Sequence, residues 1–271
     1  MKIAGWNFGL FGDLVMNTTL AKTFKTHNPD SNLIFCVGRK YSAILPLFYN
    51  HPCIDGFHVW EGCDDWPTNN DSKYIESGRF DKVYSACPQH KRQDWYKYNH
   101  YIEEVHDMND FPPPVDMQCH LDKWFQTEER SQKLITTSLV SGNDPLGRAL
   151  DSNQILSLHK DIEKLGYKVV RLDTKQCPTL ENDYPASKLS LLDAVKLLLT
   201  SKLHLTVDTS YSWIGSSYSH PVLSLHGINY PDMDIEHVKS HVPFNPNARA
   251  IISNSVKEIK NQSIIDVIKS F

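Results

Sequence analysis

Short apolar runs and longer stretches of helical spacing alternate along this chain, and the alternation decides which elements can form. Lys2-Ile3-Ala4-Gly5-Trp6 is strand-like, and residues 14–26 then carry Leu14, Val15, Leu20, Ala21 and Phe24 at roughly helical spacing until Asn28-Pro29-Asp30 stops them. Asn32-Leu33-Ile34-Phe35-Cys36-Val37 is a continuous apolar run of the kind buried in parallel sheets. Strand, helix, strand predicts a βαβ unit. Residues 40–49 read as a second helix closed by His51-Pro52, and residues 54–60 and 80–86 as strands. Residues 101–110 read as a helix that Phe111-Pro112-Pro113-Pro114 ends.

The proline run opens the best linker candidate, because proline joins neither a helix interior nor a central strand. The boundary is expected between Pro112 and Gln132, which gives an N-terminal domain over residues 1–120 and a C-terminal one over 121–271, with a possible helix at 121–130. A second α/β pattern then begins with a strand at 133–140 and a turn-rich loop from Ser141 to Arg148. A helix at 152–165 with Gly166 as its C-cap, a strand at 167–172 and an apolar-rich helix at 189–199 follow. The strand at 203–207 runs into Asp208-Thr209-Ser210-Tyr211-Ser212-Trp213, another strand at 220–225 ends at His226-Gly227, and residues 255–271 read as a closing helix.

Composition narrows the function classes. With 271 residues, 40% hydrophobic and 22% charged, the chain suits two modest soluble domains. A formal charge of −4 gives no global basic footprint for nucleic acid, although a local patch remains open. The six cysteines form no C-x-x-C pair and the thirteen histidines no convincing metal pair, so reduced thiols and no metal are expected. No run approaches the roughly 18 apolar residues of a membrane span, and no signal-peptide pattern opens the chain, so the expected compartment is the cytoplasm. The polar loop at 61–78 holds Asp64 and Asp65, which read as solvated carboxylates rather than a metal site. Between His90 and His100, basic residues alternate with aromatics. Lys91, Arg92 and Trp95 could grip a phosphorylated or sugar-rich acceptor, or could equally be the outside of a helix.

Two strand-to-helix junctions carry candidate chemistry. At Gly9-Leu10-Phe11-Gly12-Asp13-Leu14 a strand breaks at two glycines and leaves Asp13 where the strand's carboxyl end meets a helix. Ligands meet open α/β sheets at that edge, yet aspartate is also favoured as a helix cap. At Asp208-Thr209-Ser210 the topology recurs, and Thr209, Ser210 and Ser212 can present hydroxyls and backbone N–H groups to a phosphate, or simply cap the helix.

In this order the motifs resemble those of glycosyltransferase family 9, the lipopolysaccharide heptosyltransferases and their relatives. The family's N-terminal G-x-x-G-D looks like Gly9-Leu10-Phe11-Gly12-Asp13, and its strand followed by D-T-G, two residues and H looks like the run from Asp208 to Trp213. The later P-V-x-x-L-x-G looks like Pro221-Val222-Leu223-Ser224-Leu225-His226-Gly227, and Leu189-Ser190-Leu191-Leu192-Asp193 resembles the family's preceding helix. The similarity covers most of the chain and is weakest at 61–99 and across the linker. Ser210 stands for the family's glycine, Trp213 for its histidine, and Arg148 is the nearest match to a family lysine.

The resemblance implies an α/β chain of two Rossmann-like parallel-sheet domains facing across a cleft, the glycosyltransferase B type. It implies an inverting, metal-independent transfer from a nucleotide-diphosphate sugar to an acceptor hydroxyl of a bacterial surface glycan, by a monomer without other cofactor. Asp13 would be the base, ionised and well placed rather than strongly basic. Arg148, Ser141, Asp208, Thr209 and Ser210 would hold the donor's phosphates, Asp173 and Ser190 are weaker nucleoside candidates, and Gly12, Lys91, Arg92 and Trp95 are weaker acceptor candidates. Whether the sugar is a hexose, heptose or pentose stays open. So do two other readings: a bacteriophage-type enzyme that glycosylates hydroxylated bases in DNA, and a non-catalytic sugar-nucleotide-binding protein.

Overall fold

The computed structural model describes residues 3–8, 11–60, 80–85, 100–122, 129–140, 147–173, 189–228 and 234–271. The chain divides into two compact units, Met1–Lys123 and Trp124–Phe271.

In the first unit, β1 (Ile3–Phe8) leads into α1 (Phe11–Met16) and α2 (Thr18–His27), followed by β2 (Asn32–Gly38) and a 3-10 run at Arg39–Phe48. β3 (Gly56–Trp60), β4 (Lys82–Ser85) and α3 (Tyr101–Met108) complete it. The strands lie in the order β3-β2-β1-β4, every pair parallel. The helix expected at 14–26 starts earlier and is broken at Asn17. There the Asn17 side-chain amide donates to the Asp13 carbonyl, while the hydroxyls of Thr18 and Thr19 donate to the carbonyls of Val15 and Met16 at 2.8 Å each. Side chains that bond nearby carbonyls in this way compete with the helix ladder. The apolar stripe survives the break, with Leu14, Val15, Met16, Leu20, Ala21 and Phe24 all buried. Residues 39–48 form a 3-10 run rather than an α-helix, and Pro46 inside it lacks the N–H that the α-ladder needs.

The proline-rich stretch belongs to this first unit. Val115 N donates to Thr23 Oγ1 at 3.3 Å, His120 N to Thr18 Oγ1 at 2.9 Å, and Lys22 pairs with Asp116 at 2.5 Å, so the segment is stitched along α2. Asp122 anchors its end, donating its N–H to the Leu47 carbonyl at 2.8 Å and accepting from the Asn50 amide at 2.8 Å. Residues 121 and 122 are not helical, and 123–128 lie outside the described residues.

The second unit runs β5 (Leu134–Ser138), α4 (Ser152–Lys164), β6 (Lys168–Arg171), α5 (Leu191–Thr200), β7 (Leu203–Val207), α6 (Ser210–Ser217) and β8 (Val222–Gly227). Then come α7 (Ile235–Ser240), β9 (Ala248–Ser253), a 3-10 turn at Val256–Glu258 and α8 (Asn261–Ile268). The all-parallel sheet has the order β6-β5-β7-β8-β9. α4 starts where the Asp151 carboxylate accepts the Gln154 N–H at 2.8 Å and stops at Gly166, whose φ of +87° suits only glycine cheaply. α7 and β9 go beyond the elements that the sequence pattern predicts, and the closing helix is shorter than 255–271 because a 3-10 turn precedes it.

The central strands of this sheet alternate strictly. Leu203, Leu205 and Val207 of β7 with Leu223 and Leu225 of β8 join one apolar cluster with Ile155, Leu158 and Ile162 of α4 and Ile264, Ile265 and Ile268 of α8. The intervening residues meet α6 instead: the His204 ring lies 5.9 Å from that of Tyr211, and a Cβ at Gly215 would come within 2.8 Å of the Val222 side chain. His204, Thr206, Val222, Ser224 and His226 therefore share the face under α6, since strand side chains alternate with a period of two.

Candidate active site

In open parallel sheets ligands sit outside the carboxyl ends of the strands where the order of winding reverses. Each unit has one such point. In the first it lies at β1, flanked by β2 on one side and β4 on the other. In the second it lies between β5 and β7.

Asp13 lies in the first turn of α1, just beyond the end of β1, and is half-buried. Its backbone is held from behind: Asn17, fully buried, donates to the Asp13 carbonyl through both its N–H, at 3.0 Å, and its side-chain amide. Asn17 thus fixes the backbone at Asp13, and no local pattern in the sequence marks it for this. Gly12 is half-buried in the same turn. Lys91, Arg92 and Trp95 lie outside the described residues, as does Ser141.

At the second unit's reversal point, the ends of β7 and β8 and the segment before α4 bring together side chains from distant parts of the chain. The Arg148 guanidinium reaches the Asp208 carboxylate with Nη1 3.2 Å from Oδ2, and each side chain is about one-fifth exposed, at 23% and 21%. Burial pushes the Asp208 carboxyl up, but the Arg148 charge, joined in acid by the imidazoles of His226 and His241 once they are protonated, outweighs it and holds the group below the usual carboxylate range. His226, the last residue but one of β8, stands in the register next to Asp208, since Val207 pairs with Leu225. Burial and the Arg148 charge hold its imidazole below the ordinary histidine value against the opposing pull of Asp208.

α6 begins immediately after this pair. Thr209, its N-cap residue, makes no side-chain bond to the helix; its hydroxyl meets that of Thr206 at 2.9 Å instead. The Ser212 hydroxyl donates back to the Thr209 carbonyl at 2.6 Å. Of the hydroxyls expected to present themselves to a phosphate, these two are engaged within the protein, whereas the start of α6 carries no side-chain cap. Unsatisfied N–H groups at a helix start, reinforced by the helix dipole, favour an anion. Ser210 is the first helical residue and half-buried, and Trp213, one turn on, is 7% exposed.

The two nucleoside candidates are occupied. Asp173 is 3% exposed, with Oδ1 accepting from Ser138 Oγ at 3.1 Å and from Val140 N at 3.0 Å, and Oδ2 accepting from Arg171 Nε at 2.9 Å. These bonds tie the ends of β5 and β6 together. Ser190 caps α5, accepting the Asp193 N–H at 3.2 Å and donating to the Asp193 carboxylate at 2.6 Å. Among the described residues no group of three or more His, Cys, Asp or Glu side chains gathers to hold a metal ion, and no helix among them is long and apolar enough to cross a membrane.

No protein-family model matches the sequence, and no curated protein matches it by sequence. Solved structures do match. The structure of Escherichia coli ADP-heptose lipopolysaccharide heptosyltransferase II superposes with a TM-score of 0.71 at 15% identity, over 100% of this chain and 98% of that one. A glycosyltransferase family 9 protein from Veillonella parvula gives 0.69 at 13% identity, over 99% and 96% of the two chains. The E. coli heptosyltransferase WaaC, solved with ADP, gives 0.69 at 12% identity, over 100% and 99%. The chain thus has the two-sheet α/β fold of the family 9 glycosyltransferases, the heptosyltransferases among them.

Proposed function

We propose that this chain is a glycosyltransferase that moves a sugar from a nucleotide-diphosphate sugar to an acceptor hydroxyl. The observation that carries this reading is the meeting of Arg148 and Asp208 at the uncapped start of α6, at the winding reversal of a sheet whose fold is shared with enzymes named for ADP-heptose. A guanidinium beside a helix start without a side-chain cap is the arrangement a diphosphate needs both to bind and to leave.

The second unit binds the donor, and the first supplies the acceptor's base. Asp13 takes the proton from the acceptor hydroxyl as its oxygen forms a bond to the anomeric carbon. The bond from that carbon to the diphosphate oxygen breaks, and its electron pair leaves on the diphosphate. One in-line displacement inverts the anomeric centre. Arg148 and α6 stabilise the departing charge, so no metal is required for this step. Asp173 and Ser190 set the backbone around the donor's nucleoside through the bonds just described. The acceptor is a surface glycan and the protein acts in the cytoplasm as a monomer. The alternative DNA acceptor rests on the Trp213 departure, the small size of the chain and the basic-aromatic segment from His90 to His100, of which residues 90–99 lie outside the described residues.

The decisive experiment is a screen of nucleotide-sugars for thermal stabilisation, because a ligand specific to the folded state raises the melting temperature by mass action. One nucleotide-sugar is expected to stabilise the wild type and not Arg148→Ala. No stabilisation by any of them would reject the reading.

A further inference from the structure

His226 is 2% exposed, and its Nε2 has no hydrogen-bond partner among the described residues. A buried polar atom left unbonded calls for a physical reason. Among the described residues the charged groups facing it are Asp208 from the end of β7 and Arg148 from the segment before α4. His241, at the end of α7, faces the same Asp208 carboxylate, and the β9 residue paired with His226 is Ile252, which brings no charge. Trp213 meanwhile occupies the position where the family motif has histidine, and an indole can donate a hydrogen bond but cannot carry a proton's charge.

These facts pose an electrostatic problem that rests on the proposed donor site. A diphosphate at the start of α6 brings further negative charge beside the Asp208 carboxylate, and Arg148 already pairs with that carboxylate. We propose that His226 resolves it by taking up one proton from solvent as the diphosphate binds, so that an imidazolium stands beside Asp208 while the leaving group carries its charge. The proton returns to solvent when the nucleotide departs. Burial and Arg148 keep the empty site's imidazole neutral near pH 7, and the arriving anion raises its proton affinity. Between the two values affinity increases as pH falls, by up to tenfold per pH unit, and outside that window the dependence vanishes.

Isothermal titration calorimetry in buffers of different ionisation enthalpy counts the protons. The probes are ADP and, independently of any base, inorganic pyrophosphate. Both probes titrate by themselves, ADP's terminal phosphate near pH 6 or so, so the readout is the difference between wild type and His226→Gln. The wild type is expected to take up close to one proton more than His226→Gln or His226→Asn, each first checked for a cooperative melt, while His241→Gln behaves as wild type. Equal uptake in wild type and both His226 variants would overturn the proposal, as would loss of the extra proton in His241→Gln alone. Failure of wild type to bind either probe, or binding indifferent to Arg148→Ala, would instead remove the donor site itself.

Discussion

Arg148 and Asp208 meet at 3.2 Å across the reversal point of the second sheet, one reaching in from the segment before α4 and the other standing at the end of β7. The pair makes the guanidinium's position depend on a strand end rather than on its own loop. Arg148→Ala should weaken ADP binding by about 10- to 100-fold, the worth of a charge-assisted bond. Asp208→Asn should also weaken it, by releasing the guanidinium. Calorimetry decides, and unchanged affinity in both variants would reject the phosphate assignment.

Asp13→Ala and Asp13→Asn should lower turnover by about 100- to 10,000-fold with little change in donor affinity, the pattern of a lost general base. Asn17→Ala should give a smaller loss of the same kind, because it removes one of the two bonds to the Asp13 carbonyl, leaving the backbone one, and keeps the carboxylate. Turnover at the wild-type rate in Asp13→Asn would remove the base from the mechanism.

Gly227→Ala should destabilise the second unit by about 1–3 kcal/mol, the usual cost of forced overpacking. A Cβ there would lie 2.5 Å from the Val256 backbone nitrogen and 3.0 Å from the Ser255 carbonyl carbon, and backbone cannot turn aside. Urea unfolding measures the loss, and a variant as stable as wild type would show that the 3-10 turn can move.

Asp173→Asn separates support from contact. Its pair with Arg171 is almost wholly buried, and removing one partner of such a pair costs about 3–5 kcal/mol. The melting temperature should fall steeply while the ADP affinity of the folded fraction holds. The reverse outcome would make Asp173 a nucleoside contact.

Acid should unfold the protein through its buried histidines. Burial lowers His204 and His220 to about 3 and His51, His106 and His159 to about 4, against about 6.5 in the unfolded chain. The unfolded state therefore binds more protons between these values, so stability is complete above pH 6.5 and falls as pH drops below it. Each histidine contributes a slope of up to about 1.4 kcal/mol per pH unit. Urea midpoints measured from pH 8 to pH 5 should be flat and then decline, and a flat profile throughout would contradict the burial.

Much of this architecture is legible in the residues themselves. β7 lies where its pattern predicts because Leu, His, Leu, Thr and Val alternate between two buried faces. Asp13 and Asp208 announce themselves by standing where apolar strands give way to helices. Other features depend on partners that the local pattern does not contain. The break at Asn17 comes from side chains that capture nearby carbonyls, and a helical stripe continues through it unchanged. β9 escaped because it is a half-exposed edge strand carrying Arg249, whose guanidinium lies 4.6 Å over the Phe271 ring. His226 looked like a strand's last residue, and only the register with β7 brings it beside Asp208.

The alternation in β7 and β8 has an evolutionary corollary. Odd-numbered positions 203, 205, 207, 223 and 225 belong to the apolar cluster, while even-numbered 204, 206, 224 and 226, with Asp208 just beyond β7, carry histidine, hydroxyl or carboxylate, and Val222, against Gly215 of α6, is the aliphatic exception on that face. A saturation library over the two strands should therefore sort by parity into two alphabets, aliphatic at the odd sites and hydrogen-bonding at the even ones other than 222. Descendants could then rewrite what the molecule recognises through the even sites alone, leaving the odd ones to carry the fold unchanged.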